Sequence, residues 1–153
     1  MHPPVLVVGH DDDRLRATRD ALALGRLTNP VVAVADAGDA SAYVLGHPPY
    51  EDREAHPLPA VVVTDLHLPG GSGLDVLRTV RSHLVLRRTP VVVIGDDASQ
   101  EEITAAEQLG TAAFLGQHVA AHVLVGVIRD TGVPWAVGHV EAPDALELVG
   151  SDA

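Results

Sequence analysis

Asp65 is the residue whose placement most invites chemistry. It closes the run Val61-Val62-Val63-Thr64 and opens into a loop holding His67, Pro69, Gly70, Gly71 and Gly73. Sites in open α/β sheets gather where the carboxyl ends of strands meet the following loops. Gly9-His10-Asp11, Gly95-Asp96 and Gly116-Gln117-His118 follow apolar runs in the same way. His67 lies two residues past Asp65, and His10 ends the neighbouring run, so imidazole and carboxylate could converge there as ligands for Zn²⁺ or Ni²⁺. Asp11, Asp65 and His67 are the alternative ligand set. With nine histidines in 153 residues, however, chance neighbours are easily found. His118 and His122 stand four apart on an expected helix, a spacing that can chelate a metal and that two exposed histidines also satisfy. The Gly70–Gly73 run lacks both the Lys-Ser/Thr of a phosphate loop and the GxGxxG of a dinucleotide site. It reads as a turn into a helix capped by Ser72.

The elements that must position these groups follow from hydrophobic pattern. Val5–Val8, Val31–Val34, Val61–Val63 and Val91–Ile94 are short, β-branched and continuous, and Ala112–Leu115 is a weaker fifth. Continuous apolar runs are expected of parallel strands buried on both faces. Between them lie helical patterns over Asp12–Gly25 (capped by Asp12 or Asp13), Asp36–Gly46, Ser72–Leu86, Ser99–Gly110 and Val119–Asp130. Leu74, Leu77, Val80 and Leu84 form the stripe of the third helix, and Ser99 with Glu102 forms a capping box. Five strands alternating with five helices predict a doubly wound α/β domain. The proline-rich stretch His47–Pro59 is expected to be an exposed loop.

Composition narrows the function. The length suits one domain, expected over residues 1–131, with 132–153 as an extension too short for a DNA-binding output domain. A net charge of −11 argues against nucleic acid or an anionic membrane as direct partner. The absence of cysteine removes thiolate chemistry and agrees with a reducing, cytoplasmic setting. No apolar run approaches the ~20 residues that cross a bilayer. Nothing supports an independent hydrolase or dehydrogenase, and the chain is not expected to be an enzyme.

The stretch Thr64 to Leu77, TDLHLPGGSGLDVL, resembles the loop after the phosphate-accepting aspartate of bacterial response-regulator receiver domains. Asp65 takes the phosphoacceptor position. Gly95, 30 residues on, takes the switch-hydroxyl position, and Gln117, 22 further, the lysine position. The patterning from Val44 to Pro69, the segment LRRTPVVVIG and Trp135 resemble the compact receivers that pair with phytochrome-like sensor kinases. This resemblance implies a flavodoxin-like sheet of order 2-1-3-4-5. It also implies a role in two-component phosphorelay signalling, with a sensor histidine kinase or a downstream signalling protein as partner.

The same resemblance exposes substitutions. Receivers carry an acidic pair after the first strand, where the ungapped register has Gly9 and His10; a one-residue shift would instead bring in Asp11 and Asp12. The ungapped register keeps Arg19, Ala21 and Leu22 at their helical positions. Only Asp65 matches the family's pocket, so the expectation is an atypical receiver. Its Mg²⁺ site, which usually needs one or two carboxylates, would be weakened or lost, and Mg²⁺ would be a cofactor only if Asp65 can still be phosphorylated. Val119, Val123, Val125, Val127 and Ile128 exceed one buried stripe. A homodimer through the fourth and fifth helices, or cover from residues 133–140, would account for them.

Overall fold

The structure is a computed structural model and describes residues 3–116 and 121–130. In chain order its elements are β1 (Val5–Val8), α1 (Asp12–Leu24), β2 (Val31–Val34), α2 (Ala37–Leu45), β3 (Val61–Asp65), β4 (His67–Leu68), β5 (Gly71–Ser72), α3 (Gly73–Ser82), β6 (Val91–Ile94), α4 (Gln100–Gln108), β7 (Ala113–Leu115) and α5 (Ala121–Asp130). The main sheet runs β2-β1-β3-β6-β7, all parallel, which is the expected 2-1-3-4-5 order once the short β4–β5 ribbon is set aside.

Alternate residues of a strand face opposite sides of the sheet, so an unbroken apolar run feeds two cores at once. Leu6, Val8, Val62, Val91 and Val93 pack with Tyr43, Val44, Leu77, Val80 and Ala106, beneath α2, α3 and α4. Val5, Val7, Val61, Val63, Val92 and Ile94 pack on the other side with Ala21, Leu22, Leu124 and Val125, from α1 and α5. Each of these larger side chains contributes about 1.5–3 kcal/mol through burial. The strand centres, and with them the carboxyl ends that carry the site, are held rigidly.

The boundaries depart from expectation where local polar groups decide them. The cap of α1 is Asp11, one residue earlier than expected, because its Oδ1 accepts from the Asp13 amide at 2.8 Å. The third helix, expected to reach Leu86, ends at Ser82. His83 turns extended and its Nδ1 accepts from the amides of Val85 and Leu86. Leu84 is therefore not on the buried stripe; it is 87% exposed, and Leu86 fills the core instead. In α4 the Ser99–Glu102 capping box is present in both directions.

The stretch 47–59 is pinned more firmly than an exposed loop. Arg53 donates to the carbonyls of Tyr43, Val44 and His56, closing the end of α2, while the buried Tyr43 donates its hydroxyl to the Pro57 carbonyl. Residues 119 and 120 of the expected last helix, Trp135 and the proposed extension 132–153 lie outside the described residues. Within α5, Leu124 and Val125 are buried and Val123 is 40% exposed. No helix among the described residues is long and apolar enough to cross a membrane.

Candidate functional site

Asp65 is the last residue of β3, opposite Ile94 of β6, and its register is held by the Leu66 amide donating to the Ile94 carbonyl. The chain then turns through the β4–β5 ribbon, where His67 faces Ser72, and returns so that the Gly73 amide donates to Leu66. A Cβ on Gly73 would stand 2.5 Å from the Asp65 carbonyl oxygen. The glycine thus permits α3 to start directly beneath the aspartate, with Ser72 as its cap. The ends of β1, β3 and β6 and the first turn of α1 enclose a cleft of about 610 Å³ lined by His10, Asp11, Asp12, Asp13, Arg14, Asp65, His67, Gly95 and Asp96, among others.

Inside the cleft Arg14 donates from Nε to Asp65 Oδ1 at 3.0 Å. Both side chains are largely withdrawn from water, at 7% and 16% exposure. Arg14 occupies the first turn of α1, and Asp11 accepts the Arg14 amide through its carbonyl oxygen. Burial raises the Asp65 carboxyl above its ordinary range; the Arg14 hydrogen bond and charge oppose that rise, Asp11 adds to it, and His10 opposes it. Burial wins because removing a carboxylate from water disfavours its ionised form more than one cation restores.

The expected positions are brought together in part. His10, Asp11, Asp65, His67 and Gly95 all line the one cleft. Gly9 stands next to the aspartate: a Cβ there would lie 2.5 Å from Asp65 Oδ2. Asp11, the cap of α1, and Asp12, the pair of the shifted register, also line the cleft. Gly95 has its own reason, since a Cβ would approach Leu66 Cβ to 2.8 Å. Among the described residues, no three His, Asp or Glu side chains are grouped so as to hold a metal ion, so His10, Asp65 and His67 share a cleft without forming a ligand set. Gln117 and His118 lie outside the described residues, as does the side chain of His122.

Arg14 is the residue that sequence reasoning missed. It comes just before Leu15 in the first turn of α1, among Asp12, Asp13 and Arg16, where a charged residue reads as solvated. One signal was available: all ten basic residues are arginine and the chain contains no lysine. Any cation meeting Asp65 from within the chain therefore had to be an arginine, or a protonated histidine.

No protein-family profile matches the chain. A segment of 74 residues, 47% of the chain, is 43% identical to the sensory/regulatory protein RpfC of Xanthomonas campestris and spans only 10% of that protein. Among solved structures, the bacteriophytochrome response regulator RtBRR is 34% identical, with 94% of this chain and 86% of that one covered at a TM-score of 0.77. The bacteriophytochrome response regulator AtBRR is also 34% identical, with 89% and 96% covered at a TM-score of 0.73. With likeness of that extent, a shared strand order and an aspartate at the end of the third main-sheet strand, the chain belongs to the response-regulator receiver family.

Proposed function

We propose that this domain acts as an atypical receiver in two-component signalling. It would work through contacts with protein partners, with Asp65 at the phosphoacceptor position and Mg²⁺-dependent phosphorylation impaired. The observation that carries the reading is the Arg14–Asp65 ion pair at 3.0 Å. Efficient transfer needs a free aspartate oxygen, a cation to neutralise the incoming phosphoryl oxygens, and hard oxygen ligands for that cation. Here one Asp65 oxygen is engaged by a guanidinium, the adjoining positions are Gly9 and His10, and Oδ1 of Asp11 is used as a helix cap. The residues present do not fit a Mg²⁺ site of the receiver type.

A sensor histidine kinase, phytochrome-like by the likeness to RtBRR and AtBRR, or a downstream signalling protein, is the partner class this reading favours. Val123 of α5 is 40% exposed; a second copy docking through the fourth and fifth helices, or cover from residues 133–140, would bury it.

Intact-mass spectrometry after incubation with acetyl phosphate and Mg²⁺, beside an Asp65→Asn control, tests the reading. The expected result is an unchanged mass. A single phosphoryl adduct that is absent in the control would overturn it and make Asp65 a working acceptor.

A further inference from the structure

This inference rests on the proposed function and concerns which cation serves Asp65. Three observations bear on it. Arg14 is 93% withdrawn from water with its Nε on the carboxylate, although arginine normally keeps its head in solvent. Gly9 leaves no side chain between β1 and Asp65, and the carboxylate lies against that opening, with Oδ2 2.5 Å from where a Cβ would be. Asp11, Asp12, Asp13 and Asp96 line the same cleft, so the surroundings of the Arg14–Asp65 pair are predominantly acidic.

We propose that Arg14 is the resident cation of this pocket: a positioning residue that holds Asp65 in place and excludes divalent metal. A divalent ion binding Asp65 would have to sit beside the guanidinium, where two positive charges share one buried carboxylate. Mg²⁺ and Mn²⁺ bind through oxygen ligands, and Arg14 offers only donors. With Arg14 removed, Asp65 and Asp11, which already influence each other electrostatically, face one cleft as two carboxylates. That number is enough for a hydrated divalent ion.

The test is Mn²⁺ binding, read by thermal shift and by paramagnetic broadening of the Leu66 and Gly95 amide signals. Only binding that is lost with Asp65→Asn is counted, so that ions held by the exposed Asp12 and Asp13 do not enter. The wild type is expected to show none at 1 mM Mn²⁺. Arg14→Ala should bind at least tenfold more tightly, Arg14→Ala/Asp65→Asn should lose that gain, and Arg14→Lys, which keeps the charge, should behave as wild type. If Arg14→Ala does not fold, Arg14→Gln takes its place, and the wild-type broadening experiment is decisive alone in one direction.

Asp65-dependent binding by the wild type, or no gain in a folded Arg14 variant, overturns the proposal. Phosphoryl labelling from acetyl phosphate in the presence of EDTA would overturn the reading of impaired phosphorylation while supporting a metal-free site. Labelling that requires Mg²⁺ would overturn both.

Discussion

Replacing Arg14 by methionine keeps an unbranched apolar stem and removes the guanidinium with its charge and donors. Breaking a buried pair by deleting one partner costs about 3–5 kcal/mol when the remaining charge has no escape. Asp65 has two: it is 16% exposed, and it can take up a proton. Its folded-state pKa already lies above the unfolded value, so the folded protein holds this proton more tightly than the unfolded chain does. Stability from this group is greatest at low pH and falls as pH rises through the raised pKa. Arg14 supplies two of the influences that lower that pKa; without them the decline extends to higher pH. The destabilisation by Arg14→Met is therefore about 3 kcal/mol at pH 7.5 and smaller at pH 5.5, where more of the Asp65 carboxyl holds its proton. Urea unfolding at the two pH values, with the slope unchanged between variants, measures it. In an Asp65→Asn background the pH dependence should vanish. A loss below about 0.5 kcal/mol, or one that is the same at both pH values, would refute the claim that Arg14 neutralises a buried carboxylate.

Two further outcomes follow from close backbone approaches at the site. Gly73→Ala would place a Cβ 2.5 Å from the Asp65 carbonyl oxygen and 3.2 Å from Thr64 Cγ2; it should lose about 1–3 kcal/mol in urea unfolding, since backbone cannot yield as a side chain can. Restoring the family's hydroxyl by Gly95→Thr meets Leu66 Cβ at 2.8 Å, so it should cost about 1–3 kcal/mol, and Gly95→Ala should cost nearly as much. A threonine markedly more destabilising than alanine would show that the groups beyond Cβ, and not the Cβ itself, are what this position rejects.

Much of the sheet was legible because each central run is apolar at every residue and bounded by turn residues. Val5–Val8, Val31–Val34 and Val91–Ile94 appear with their expected limits. The α4 capping box was legible because Ser99 and Glu102 act locally. The third helix was misjudged because Leu84 keeps helical spacing, while the stop comes from the His83 imidazole taking two amides, an event no periodicity records. At the site, Asp65, His10, Asp11, His67 and Gly95 could be placed in one cleft from strand ends alone. Arg14 could not, since its partner lies 51 residues away and only the fold brings the first turn of α1 over the end of β3.

That arginine changes what the retained aspartate can mean. In a receiver with an exchangeable metal, the charge beside the aspartate comes and goes with ion and phosphoryl group, and the site reports on both. Here the neighbouring cation is tethered to α1 and cannot leave. Among the described residues the cleft holds five aspartates, Asp65 included, against one arginine, so an anionic phosphodonor approaches against a negative field. Gln117→Lys would add one positive charge to a chain that has no lysine at all. By itself it would neither free Asp65 Oδ1 from Arg14 nor supply the carboxylate that Gly9 lacks. On the proposed reading, restoring phosphotransfer therefore calls for the release of Arg14 together with new acidic ligands at Gly9 or His10. The lysine alone should restore little, because the tethered cation and the missing oxygen ligands act on the same two oxygens of Asp65.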